Sequence, residues 1–182
     1  MTKKLIFAVV LFLVLVVPVM AQTAYNVNDK VLQAGLGLGM AGLYGDSGVP
    51  PVSVGLSMGY NDNISFGGLV GYASSKYTYS YHDGSDYGWK YTYIAIMARG
   101  SYHFDILNSS DIDTYVGLSL GYNVVTSSEF GDWYGEPTSA SSSYLLYGAH
   151  FGIRYYFNPN MGVFGELGYG LSYATVGLSF KL

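Results

Sequence analysis

The chain has no cysteine, and that absence removes several chemistries together. There is no disulfide framework, no thiolate nucleophile or metal ligand, and no attachment point for the lipid of a lipoprotein. Charge is also scarce, with Asp, Glu, Lys and Arg making up 11% of 182 residues. The basic residues are the rarer, eight against twelve acidic, which argues against nucleic acid as a partner. Beyond residue 21 no run approaches the about 18 consecutive apolar residues of a transmembrane helix. Any passage through a membrane must therefore be made by strands, which are viable there only in a closed ring.

What is present begins with a leader. Lys3 and Lys4 precede an uncharged run from Leu5 to Val17, and Pro18-Val19-Met20-Ala21 follows. The order of charged, apolar and small residues predicts a signal peptide over residues 1–21, cleaved after Ala21, with one domain over 22–182. Without the leader, six basic residues face twelve acidic ones, a net charge of −6.

The remainder is rich in Gly (25) and Tyr (20), and its apolar residues recur at every second place. In the last ten residues Ala174, Val176, Leu178, Phe180 and Leu182 alternate with Tyr173, Thr175, Gly177, Ser179 and Lys181. That is a strand with one greasy and one polar face. The same alternation predicts strands over 31–43, 52–60, from Ile64 to Tyr81, from Trp89 to Phe104, over 114–125, 145–157 and 163–171, eight in all. Compact turns are expected near Asp62, Asn108 and Pro159. The longest loop is expected over 126–142. The hairpin through Tyr77 and Trp89 is longer than a bilayer requires, so its tip should stand clear as a two-stranded ribbon. Two short motifs are decoys. Gly37-Leu38-Gly39-Met40-Ala41-Gly42 matches a dinucleotide fingerprint but lies inside an alternating strand, and Gly45-Asp46-Ser47-Gly48 runs straight into Pro50-Pro51.

Apolar residues at every second place up to Leu182, with Phe180 two before it, resemble the C-terminal signal of bacterial outer-membrane barrels. The mature chain as a whole resembles the small eight-stranded outer-membrane proteins of the OmpA-domain, OmpX and OmpW kind. The resemblance implies an all-β, antiparallel, up-and-down transmembrane barrel in the outer membrane. It also implies a monomer, with outer-membrane lipid and lipopolysaccharide around it and the barrel-assembly machinery and periplasmic chaperones as partners. Val176, Leu178, Phe180 and Leu182 would then be the assembly signal.

Candidate functional residues fall into three sets. Arg99, Arg154, Glu166 and Lys181 lie on inward rows and form a candidate lumen ion network, because a charge in a narrow lumen needs a partner. A symmetric turn at Asn158 would set Arg154 directly opposite Glu166. Tyr77, Tyr79, Tyr81, Tyr87, Trp89, Tyr91 and Trp133 form a candidate surface for an extracellular ligand, a composition shared with binding paratopes. Lys76 and Lys90 fall on the outer face near the membrane rim. Catalysis is not expected: Ser101 and His103 lack an obvious carboxylate, and Gly152 stands where a lipid A deacylase would carry Ser near His150. No cofactor or metal is expected. A structural or adhesive role is the reading, with a narrow porin-like channel as the alternative.

Overall fold

The computed structural model describes residues 24–39, 46–80, 86–131 and 139–182. Eight strands form one closed antiparallel ring: β1 (Lys30–Leu38), β2 (Asp46–Gly59), β3 (Ile64–Ser80), β4 (Asp86–Phe104), β5 (Ile112–Gly131), β6 (Ser139–Asn158), β7 (Met161–Tyr169) and β8 (Ala174–Lys181). Each strand pairs with its neighbours in sequence, and β1 closes on β8 from Val31↔Lys181 to Leu38↔Ala174. Closure leaves no unpaired edge in the hydrocarbon, where each orphaned backbone group would cost several kcal/mol.

The alternation decides which face is which. Leu118 and Ile96 are 70% and 60% exposed, while Tyr115, Asn123 and Ala95 from the opposite rows of the same two strands are fully buried. Exposed aromatic rings gather at both ends of the outer wall. Tyr60, Phe66, Tyr155 and Phe157 lie at the end of the short turns, and Tyr122, Tyr147, Tyr169 and Tyr173 lie toward the other. Rings flanking an apolar band are what two membrane interfaces require.

The short turns share one device. Asn61 Oδ1 accepts the backbone N–H groups of Asn63 (2.9 Å) and Ile64 (2.8 Å), and Asn158 Oδ1 accepts those of Asn160 (3.0 Å) and Met161 (2.8 Å). Each side chain thereby imitates the backbone bond of a turn.

Strand lengths depart from the alternation-based expectation in one informative way. β7, β8 and β1 have only nine, eight and nine residues, whereas β3 to β6 have 17 to 20. The expected long loop over 126–142 is largely strand, because β5 runs to Gly131 and β6 starts at Ser139. Serine and threonine carry no apolar alternation, yet they pair in unbroken register from Thr126↔Ser141 to Ser128↔Ser139. The two-stranded ribbon is consequently a four-stranded extension of β3, β4, β5 and β6. Its β6 edge, Ser139–Gly148, has no partner in β7, whose pairing begins at Ala149↔Tyr169. β2 also starts earlier than expected, at Asp46, despite Pro50 and Pro51. Above Val52 it has no β1 partner, and register shifts flank Val49, so prolines without an N–H are tolerated there.

Candidate functional site

Buried polar side chains fill the turn-side half of the ring. Asp113 in β5 is 2% exposed and sits at their centre. One of its oxygens accepts from Arg154 Nη1 at 2.6 Å, and the other lies 2.7 Å from His103 Nδ1. Arg154 Nη2 donates to Gln33 Oε1 (3.2 Å), and its guanidinium lies 4.2 Å from the centre of the Tyr115 ring. Gln33 Nε2 donates to the Tyr115 hydroxyl at 3.4 Å. That hydroxyl donates to Glu166 Oε1 at 2.7 Å, which also accepts from Arg99 Nη2 at 3.0 Å. Two guanidinium groups and two carboxylates thus balance inside one hydrogen-bonded chain. A buried ionic set of this kind persists only when every charge is paired.

Three of the expected lumen residues, Arg99, Arg154 and Glu166, belong to this chain, but the expected pairing is corrected. A register shift between Tyr156 and Asn158 places Gly152, not Arg154, opposite Glu166, and Arg154 opposite Phe164. Arg154 therefore pairs with Asp113 and Glu166 with Arg99. The fourth, Lys181, lies at the mouth, bonded to Asp29 at 2.9 Å and to the carbonyl of Ala24.

Sequence reasoning missed Asp113, assigning it to the polar turn over 105–113. Its parity with Tyr115, Gly117 and Ser119 was the signal that could have placed it inward. Glycine opposite a ring is the matching device: a Cβ on Gly152 would come within 2.6 Å of Tyr115 Cε2, and one on Gly117 within 2.6 Å of His150 Nε2.

The N-terminal segment closes this end. The ring of Tyr25 stacks on His103 with centroids 3.8 Å apart and planes 5° from parallel. Its hydroxyl lies 2.6 Å from the Ile64 carbonyl and 3.0 Å from that of Asn61. Burial pushes the Tyr25 phenol up to about 12, so it remains a neutral donor at physiological pH.

His103 completes an arrangement that the sequence did not predict. Its Nε2 lies 2.8 Å from Ser65 Oγ, giving Ser65, His103 and Asp113 the order of a serine-hydrolase triad. A carboxylate shared with Arg154 can only accept, so His103 Nδ1 donates to Asp113 and Nε2 is left to meet the Ser65 hydroxyl. Reaction needs more than this geometry. Ser65 is 2% exposed, and the cavity beside it, bordered by Arg99, Ser101 and Arg154, measures about 10 Å³. That is at most one water's worth of room. Ser101, expected beside His103, bonds instead to His150 Nε2 at 3.0 Å.

Above the ionic chain lies a cavity of about 50 Å³ bordered by Arg99, Ser119, His150 and Glu166, with room for a few waters. Over it, Ala95, Met97 and Leu146 pack with Leu69 and with Leu171 from the β7–β8 turn into an apolar layer.

The extension carries the second candidate surface. Tyr77 faces Trp89 and Tyr79 faces Tyr87 across the β3–β4 ladder, with Tyr91 opposite Ser75. All five share the inner face. Tyr79 and Tyr87 stack at 5.4 Å, and Tyr77 meets Tyr91 edge-on at 6.0 Å. Tyr81 and Trp133, expected in the same surface, lie outside the described residues.

Comparison with curated protein sequences finds no match. Among solved structures the chain is similar to the N-terminal β-barrel domain of Pseudomonas aeruginosa OprF, with 15% identity and a TM-score of 0.52 over 87% of this chain and 100% of that one. It is also similar to Ail, the attachment invasion locus protein of Yersinia pestis, solved with the heparin analogue sucrose octasulfate (17%, 0.51, 85% and 94%). A third is Neisserial surface protein A (17%, 0.50, 85% and 95%). At these identities the likeness concerns the fold. The profile of the outer membrane protein beta-barrel domain family matches residues 8–177. The chain therefore belongs to that family, and it is an integral β-barrel protein of the bacterial outer membrane.

Proposed function

We propose that this barrel is a non-enzymatic surface protein that holds an extracellular ligand on the inner face of its four-stranded extension. The observation that carries the reading is the gathering of Tyr77, Tyr79, Tyr87, Trp89 and Tyr91 on one face of strands that outrun their neighbours. Aromatic residues supply large contact area at low entropic cost. The uncharged, proline-free β6 edge, Ser139–Gly148, adds backbone groups open to an extended peptide. The name of Ail speaks of attachment, and its structure holds a sulfated sugar. The present chain suits a different ligand, because segments 81–86 and 132–138 hold Asp83, Asp86, Asp132 and Glu136 in sequence and neither Lys nor Arg, a composition that disfavours sulfate. A neutral or basic partner fits better.

The lumen supports binding over conduction. Ion pairs, the Tyr25 stack and the apolar layer occupy the path that a solute would take, as eight strands ordinarily allow. We infer further that β8, with Val176, Leu178 and Phe180, together with Leu182 just after it, is read by the assembly machinery, and that a ring closed by β1 on β8 functions as a monomer.

The test pairs two measurements on the refolded chain. On an array of glycans and extracellular-matrix proteins, a spot bound by wild type should lose at least tenfold in Tyr79→Ser/Trp89→Ser. Planar bilayers should stay silent. Stable conductance steps with no array signal would transfer the function to the channel reading.

A further inference from the structure

The outer face of the extension is chemically unlike its inner face. Strand register aligns Asp46, Lys76, Lys90, Ser128 and Ser139 in one row across β2 to β6. Lys76 and Lys90 stand directly opposite one another, and both are exposed. Like charges facing across a ladder repel. No salt bridge joins either lysine to a described carboxylate. On its other side Lys76 pairs with Asp46, so by composition the row holds two lysines to one aspartate.

The surroundings are hydroxyl-rich. Thr92 faces Thr126 one step nearer the membrane, and Ser128 faces Lys90. Gly88 lies between Thr78 and Phe130 in the next row; the Phe130 ring rests over it, with Cζ 3.1 Å from where a Cβ would stand, and the Lys76 ammonium is 5.8 Å from the centre of that ring.

Height identifies the occupant. Lys76 lies four residues beyond Tyr72, and Lys90 four residues before Ile94, which is exposed on the outer wall. Four residues rise about 13 Å along a strand, or about 9 Å along the membrane normal at a 45° tilt. That level is where the headgroups of the outer leaflet lie, above the hydrocarbon.

We propose that Lys76 and Lys90, with the hydroxyls of Thr92, Thr126 and Ser128, dock the phosphorylated sugar headgroup of an outer-leaflet glycolipid. Its phosphate bridges the two ammonium groups and relieves their repulsion, and the hydroxyls meet the sugar. The site lies on the face opposite the Tyr and Trp surface, so it stands or falls separately from the ligand reading above.

The experiment measures retention of lipopolysaccharide by the refolded full-length chain in mixed micelles, with the cold-gel mobility of the folded barrel as the folding control. Lys76→Gln and Lys90→Gln should each weaken binding about fivefold and the double variant about thirtyfold, from about 1 kcal/mol per surface cation. Phosphatase-treated lipopolysaccharide should bind wild type no better than the intact form binds the double variant. Equal binding by wild type and the double variant, or undiminished binding after phosphatase, overturns the proposal.

Discussion

Replacing Asp113 by Asn and Arg154 by Met, singly and together, tests whether the ionic chain holds the barrel in one arrangement. Asp113 accepts from Arg154 at 2.6 Å and meets His103 at 2.7 Å, with both partners buried. Asp113→Asn leaves the Arg154 guanidinium without its carboxylate, beside Gln33, Tyr156 and the face of Tyr115. Arg154→Met leaves the carboxylate with only His103 and orphans Gln33 Oε1. Breaking a buried pair from one side costs about 3–5 kcal/mol, because the surviving charge stays buried. The double variant removes both charges, so it should cost less than the sum of the singles, by a coupling of about 2 kcal/mol. Urea unfolding of the barrel in lipid vesicles, followed by tryptophan fluorescence and by gel mobility, reads all four proteins. Single variants within about 1 kcal/mol of wild type, or a strictly additive double, would refute the reasoning.

Glu166→Gln and Arg99→Gln should each lower stability by about 1–3 kcal/mol in the same assay, since each leaves a mostly buried charge without its ion partner. Gly152→Ala drives a methyl into the Tyr115 ring and should cost a further about 1–3 kcal/mol by overpacking, visible as a lower unfolding midpoint. For Tyr25, burial raises the folded phenol from 10.0 to about 12. A raised folded pKa means that the cap's contribution is complete below pH 10 and is lost as pH climbs through 12. The ultraviolet ionisation difference between wild type and Tyr25→Phe should therefore titrate near 12, whereas a midpoint near 10 would place Tyr25 in solvent.

Period-two alternation made most of the fold legible, because a strand between lipid and lumen must sort its side chains by face. β5 from Tyr115 to Val124 shows this most plainly, with Leu118 and Leu120 out and Tyr115 and Asn123 in. Where both faces meet water the signal disappears, so the upper parts of β5 and β6, rich in Ser and Thr, read as loop. Inward charges at Arg99, Arg154 and Glu166 were visible for the same reason that the strands were. Their partners were not. Pairing depends on register, and the shift near Asn158 moved Glu166 from Arg154 to Arg99. The Ser65–His103–Asp113 contact joins three strands, and no local pattern encodes it.

The most direct test of the central claim, a ring with lipid outside and a filled polar interior, uses the absence of cysteine as a clean background. Single cysteines placed in turn at 118, 119, 120, 122, 123 and 124 of β5 are exposed, in the folded chain in vesicles, to a lipid-soluble maleimide. Rapid labelling is expected at 118, 120, 122 and 124 and protection at 119 and 123. A flat profile, or the opposite phase, would contradict the claim.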